Sequence, residues 1–202
     1  FSVHNSVATL CNKAFLFSVE EENEKYYIVD GGAIEKKVTL PAVSTKSSRR
    51  LKNGGRETRI IFPYKMTSGK VVRYSEDEFR SQYPYAWKFL YQFYNDLGKR
   101  KADETAKWFE YGRSQALTEV FGKKLVIPMV ITNSTKTYIA GKDAIPYAGY
   151  FITVKSDCNM TLQDAKNVLE SAQFYQYVKE VGTPTTISSY RVSVPDIDEF
   201  MF

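Results

Sequence analysis

The 202 residues include 28 Lys and Arg against 23 Asp and Glu, a formal net charge of +5, and the length suffices for one domain, or two closely packed subdomains, with a substantial core. No apolar run approaches the roughly 18 to 20 residues of a membrane span, and the first residues lack the basic-then-apolar order of a secretory signal, so a soluble protein is expected. Only Cys11 and Cys158 are present, far apart and outside any C-x-x-C pair, which argues against a disulfide framework and makes a reduced, cytoplasmic setting the default.

In chain order, Ala14 to Val19 is short, aromatic and β-branched, the pattern of a buried strand, and Lys25 to Asp30 reads as its partner. A Gly31-Gly32 break and a third strand around Val38 to Leu40, stopping at Pro41, complete an expected antiparallel meander. Residues 44–59 have almost no apolar content and include Gly54-Gly55, which predicts an exposed loop. Arg59 to Tyr64 reads as a strand with Pro63 at its edge or end. A subdomain break is placed near 66–74.

Ser75 with Glu78 forms a capping-box signature, and Pro84 suits the first turn of a second helix. Trp87, Leu90, Tyr91, Tyr94 and Leu97 share one face of that helix, with Lys99, Arg100 and Lys101 at the end where the dipole favours cations. Beyond Gly122, the runs Leu125 to Ile131, Lys136 to Ala140 and Tyr150 to Lys155 read as strands. Thr161 caps a helix to about Glu180 whose inner face carries Leu162, Ala165, Val168, Leu169, Ala172 and Tyr175, and Tyr190 to Val194 closes the chain as a strand. Strands and helices alternate without a βαβ rhythm, so the fold class is α+β: mixed, mainly antiparallel sheets with a few helices packed on them.

His4 is the only histidine, at a terminus expected to fray, which leaves catalytic triads and His/Cys metal sites without their parts. Neither G-x-x-x-x-G-K-[ST] nor G-x-G-x-x-G occurs. Asp30, Glu35 and Lys37 have the D-x(n)-E-x-K spacing of a metal-dependent nuclease, in which two carboxylates hold Mg²⁺ and the lysine stabilises developing charge. Asp157, Asp164 and Lys166 match the same loose pattern, as chance allows in a chain with one quarter charged residues.

Two stretches carry more information. Lys46, Arg49, Arg50, Lys52, Arg56 and Arg59 lie within 14 positions against one acid, Glu57, and the serines and glycines among them let backbone N–H groups approach phosphates. The other is Trp108 to Leu117, where Arg113, Ser114 and Gln115 bring side chains suited to guanine, phosphate and adenine in turn. A solvated basic loop and an aromatic core anchor followed by a polar turn are the plainer readings of the two stretches.

At these residues the chain resembles the TaqI-like C-terminal specificity domain, the target-recognition module that follows the catalytic domain of many adenine-specific DNA methyltransferases. Val7 to Leu10 with Asn12 to Phe15 is similar to that family's opening "G-x-x-T-x-x-D-K-x-F", with Asn12 in place of the usual Asp. Ile34-Glu35 followed by Leu40-Pro41 and Val43 resembles its "I-E... L-x-P-V" stretch, and Ile61 to Tyr64 its "I-F-P-Y" strand. Tyr83-Pro84 through Leu90 resembles its "Y-P" helix, and Trp108 to Gln115 is similar to "W-Y-E-x-G-R-S-Q". Ala148-Gly149-Tyr150 replaces a more Gly-rich turn, and no alignment extends beyond Gly182.

The resemblance implies a DNA target-recognition domain over residues 1–202, a piece of a larger enzyme as the start at Phe1 also suggests. Double-stranded DNA and an N-terminal methyltransferase domain of the same polypeptide would be its partners. It also implies that S-adenosylmethionine and catalysis belong to that other domain, so no catalytic residue and no cofactor are assigned to this chain. A metal-dependent nuclease domain and a basic protein-interaction domain stay open as alternatives.

Overall fold

The computed structural model describes residues 1–30 and 32–200, so the Gly31 half of the expected Gly-Gly break lies outside the described residues. The chain opens with β1 (Ser2–Asn5), α1 (Asn12–Phe15), β2 (Leu16–Ser18), β3 (Glu21–Glu22), β4 (Tyr26–Val29), β5 (Gly32–Glu35) and β6 (Thr39–Val43). It continues through α2 (Thr45–Lys52), β7 (Thr58–Ile61), the hairpin β8 (Tyr64–Thr67) and β9 (Lys70–Arg73), then α3 (Glu76–Gln82), α4 (Pro84–Tyr91) and α5 (Tyr94–Gly98). An irregular stretch to Lys123 precedes β10 (Lys124–Ile127), β11 (Val130–Thr132), β12 (Tyr138–Ala140), β13 (Ile145–Pro146) and β14 (Tyr150–Thr153). The last elements are α6 (Leu162–Leu169), α7 (Ala172–Val181), β15 (Thr183–Thr186), β16 (Ser189–Arg191) and α8 (Val194–Asp198). The class is α+β with antiparallel pairing, as the sequence predicts.

Two compact units share the chain: residues 1–6, 43–49 and 119–202 form the first, and residues 7–42 and 50–118 the second. In the first, the antiparallel sheet β1-β14-β10-β12 and the smaller sheet β11-β16-β15 meet α6, α7 and α8. The interior between them is filled by Leu125, Ile127, Ile152, Leu162, Leu169, Phe174, Val178 and Ile197. All four residues of β10 are buried, which is why Leu125 to Ile131 reads as one apolar run. Pro128 and Met129 instead break it, and Val130–Thr132 leaves to pair with β16. The predicted single helix from Thr161 likewise divides: Ser171 starts a second helix by accepting the Phe174 N–H, because a second N-cap captures orphan amides inside the run. That division leaves Ala172 exposed instead of on the inner face.

The second unit is built on β6-β7-β2, the meander β3-β4-β5, and helices α3 to α5. The first two strands do not pair with each other as expected. Ala14 and Phe15 belong to the helical turn α1, and the following strand β2 pairs with β7, while β4 pairs with β3 and β5. β6 runs through Pro41 instead of stopping there, with Pro41 in register opposite Arg59 of β7. Residues 66–74, where the sequence predicts a break, belong mainly to the β8–β9 hairpin inside this unit. Both capping signatures hold: Ser75 and Glu78 exchange a full capping box, and Pro84 is the first-turn proline of α4. The expected helix after Pro84 breaks at Gln92 and Phe93 before resuming as α5.

Residues 44–59 are not a loop throughout. Thr45–Lys52 is helical because Ser44 and Ser47 exchange hydrogen bonds at its start, Ser44 N–H to Ser47 Oγ at 2.8 Å and Ser47 N–H to Ser44 Oγ at 3.1 Å. The chain leaves the helix through Gly54 at φ +78, a left-handed conformation suited to glycine. Ser47 and Ser48 are its buried side chains, so composition alone conceals the packed face.

Candidate nucleic-acid interface

The α2 serines face inward, which leaves Lys46, Arg49, Arg50 and Lys52 exposed around the rest of the helix. Arg50 is also tied down: its Nη2 donates to Thr58 Oγ1 at 2.7 Å and to Ser18 Oγ at 3.3 Å. Gly55 packs so closely on Arg50 that an added Cβ would stand 2.6 Å from its Cγ and 2.8 Å from its carbonyl oxygen, so this turn needs glycine for the approach. Arg56 is exposed and makes a loose 3.7 Å pair with Glu20.

Arg59 departs from the group. It donates to Glu57 Oε1 at 3.1 Å and to the Thr39 carbonyl at 3.2 Å, and its guanidinium lies 5.0 Å from the centre of the Tyr27 ring. With 13% of its side chain exposed, it is spent on holding β7 to its neighbours. The sequence does not separate it from the others, because alternation along β7 does not say which face carries the partners.

Trp108 to Gln115 is built from the interior outward. Phe109 stacks on Phe79, with ring centroids 5.0 Å apart. The Tyr111 hydroxyl donates to the Ile61 carbonyl at 2.9 Å, its N–H donates to the Tyr64 hydroxyl at 2.9 Å, and burial raises both phenols well above the ordinary range. Trp108 is only half buried, against the expected core anchor. It joins Trp87, Tyr91 and Tyr94 in a partly exposed aromatic group, with its Nε1 donating to Glu76.

Gly112 is needed for space and not for an unusual turn: a Cβ there would stand 2.6 Å from the Leu10 side chain, while the left-handed residues nearby are Leu10 and Ala116. Arg113 bridges to Ala8 through its backbone and then emerges with Ser114 and Gln115. One carboxylate gathers the first two, because Asp103 accepts Arg113 Nη1 at 3.0 Å, the Ser114 N–H at 2.9 Å and the Ser114 hydroxyl at 3.2 Å. The Ser114 hydrogen bonds and the adjacent Arg113 charge hold the Asp103 carboxyl below its usual range. Arg113 therefore presents a braced, partly exposed guanidinium, 39% of its side chain facing solvent.

Arg100 does more than the sequence-based expectation gives it. It does cap the helix end, as expected of a cation there, but the same guanidinium also reaches three carbonyls beyond the helix. Its Nε donates to the Leu97 carbonyl at 2.9 Å, Nη1 to those of Thr9 at 2.6 Å and Glu110 at 3.0 Å, and Nη2 to that of Trp108 at 2.7 Å. His4, expected at a frayed end, lies in β1, donating or accepting at Thr153 Oγ1 at 3.0 Å and stacking on Phe151.

Residues of both nuclease-like spacings hold structural posts. Glu35 accepts the Tyr85 and Ala86 N–H groups at 2.9 and 2.8 Å, serving the N-terminus of α4, while Asp164 caps α6 and Lys166 pairs with Glu170 at 2.6 Å. Asn12 accepts the Thr9 hydroxyl at 2.6 Å.

Over 150 residues, or 67% of the chain, the sequence is 28% identical to the type II restriction enzyme and methyltransferase RM.Eco57I of Escherichia coli. The similarity is to a restriction-modification enzyme. The matched part spans 15% of that protein's length. No protein-family profile matches the chain.

Proposed function

We propose that this chain is the DNA target-recognition part of a larger restriction-modification enzyme, of the TaqI-like specificity type its motifs resemble. It grips phosphates through Lys46, Arg49, Arg50, Lys52 and Arg56 and reads bases partly through Arg113, Ser114 and Gln115. Adenine methylation and S-adenosylmethionine binding fall to the methyltransferase domain of the same polypeptide. The observation that carries the reading is the polarity of α2, whose small serines pack inward while its cations face solvent. Such a helix can lie against a phosphate backbone without unburying core.

Binding of the chain to duplex DNA is expected to fall steeply with salt. Replacing Lys46, Arg49 and Lys52 together by glutamine should flatten the slope of log K against log salt by about 2 to 3 units, at roughly 0.9 per phosphate contact. Arg50 is kept in this variant because its guanidinium also holds Thr58 and Ser18. An unchanged slope would remove α2 from the interface and with it this reading.

Arg113→Ala is expected to weaken the preferred site by about 1 to 3 kcal/mol and to relax preference at one base pair, as loss of a bidentate base contact does. Its ion pair with Asp103 is solvent-exposed, so folding stability should change by less than about 1 kcal/mol. Selection from a randomised duplex library and thermal unfolding, run on the same variant, check both halves. A large fall in melting temperature with unchanged site preference would make Arg113 a structural residue only.

A further inference from the structure

Within the second unit, a cleft of about 440 Å³ opens between the β4–β5 hairpin and α4, a size within the ~300–1,000 Å³ usual for small-ligand sites. Ile28 and Phe89 supply apolar wall, Ala33 and Gly32 leave the strand side low, and Tyr85, Lys88 and Gln92 line it from the helix side, with Asp30 on the hairpin. Tyr85, Lys88, Gln92 and Asp30 are all exposed, and no ion pair joins Asp30 to Lys88 among the described residues.

The tyrosine is nevertheless held in place. Its N–H is fixed by Glu35 at 2.9 Å, and its ring meets the Tyr26 ring edge to face, with centroids 5.2 Å apart and planes at 71°. This leaves a positioned aromatic ring at the mouth of a cleft that also offers a cation, an amide and a carboxylate. Aromatic ring, cation and base-edge hydrogen-bonding groups are together what one nucleotide requires: a platform for the base, a charge for its phosphate, and Gln or Asp groups for the Watson–Crick or Hoogsteen edge.

We infer that the cleft between the β4–β5 hairpin and α4 binds a single unstacked nucleotide, its base against Tyr85, its phosphate at Lys88 and its base edge at Gln92 and Asp30. The inference rests on reading the chain as a DNA-recognition domain and deepens it: α2 grips duplex backbone, whereas this cleft takes a nucleotide out of the stack. Unstacking costs free energy, and a prepared ring offsets part of that cost.

The test is titration of the isotopically labelled chain with dAMP, dCMP, dGMP and TMP at millimolar concentration, followed by amide chemical shifts. Saturable shifts at Ala33, Tyr85, Lys88 and Gln92 are expected for at least one nucleotide. Tyr85→Ala should weaken that binding about tenfold or more, the loss of one base stack. Lys88→Gln, at an exposed position that leaves the fold intact, should weaken the monophosphate but not the corresponding nucleoside. No shifts in the cleft, shifts confined to α2, or equal occupation by the zwitterion L-methionine would each overturn the proposal. The duplex salt titration on the same sample separates the two readings. Steep salt dependence with a silent cleft removes the cleft alone, and nucleotide binding in the cleft with no salt-dependent duplex binding removes the DNA-recognition reading.

Discussion

Arg100→Met is expected to destabilise the chain by about 3 to 5 kcal/mol, because four backbone carbonyls lose a charged donor at once, that of Thr9 keeping the Gly112 N–H. The guanidinium is a planar fork with five N–H donors, and here it joins the end of α5, the turn at Thr9 and the irregular stretch through Trp108 and Glu110. No other side-chain type reaches those oxygens together. Burial lowers the Arg100 pKa from its ordinary value, yet arginine stays charged and its bonds remain charge-assisted. Arg100→Lys should retain only a minor part of the stability, since one ammonium cannot serve a fork-shaped set of acceptors. At about 2 to 4 °C per kcal/mol for a chain of this size, the methionine variant should melt on the order of 10 °C lower. Amide exchange should rise first around Trp108 to Gly112, the segment that presents Arg113. A variant within about 1 kcal/mol of the parent would mean that water replaces the guanidinium without loss.

Lys124→Met carries the second large effect, at about 2 to 4 kcal/mol. The Lys124 side chain is fully buried, and its Nζ donates to the carbonyls of Gly141, Lys142 and Ala144 at 3.0, 3.1 and 2.8 Å. The lysine therefore closes the 141–144 turn onto β10, and methionine fills its volume while removing a charged donor from three carbonyls, of which those of Gly141 and Lys142 keep the Ala144 and Gly122 N–H groups while that of Ala144 loses the ammonium. Burial also pushes the ammonium down to about 8, which gives the site a pH signature. Between about pH 8 and the ordinary lysine range near 10.4, the unfolded chain holds a proton that the folded chain has released. The unfolded state then binds more protons, so the folded state gains stability as pH rises through this window. The parent should accordingly gain on Lys124→Met between pH 8 and pH 10, as measured by urea unfolding of both proteins at each pH. A stability difference that stays flat across that range would place the ammonium at its ordinary value.

The candidate interface is partly legible in the sequence, and the reason is distance along the chain. Six cations within 14 positions stand out in any reading, as does Arg-Ser-Gln after an aromatic pair. Their environments do not. Arg50 and Arg59 turn toward Thr58, Ser18, Glu57 and Thr39, whereas Lys46 and Arg49 stay in solvent, a division set by which face of α2 and of β7 is packed. Nothing in the sequence singles out Asp103, although it braces both Arg113 and Ser114 from ten and eleven residues away. A single acidic residue in an irregular stretch carries no periodicity that would mark it.

What the sequence by itself determined is what neighbouring residues decide among themselves. Ser75 with Glu78 and Thr161 with Asp164 close their capping boxes within one turn, Pro84 starts a helix with its fixed φ, and short β-branched runs made the class α+β. The tertiary structure alone decided which strands pair, so that β2 found β7 about forty residues on instead of β4 close by. It alone turned Arg100 inward and set Glu35 on the start of α4 fifty residues away. Hydrogen-bond partners for buried polar groups are chosen through space by whichever acceptor the packed core brings near, and adjacency along the chain carries no record of that choice.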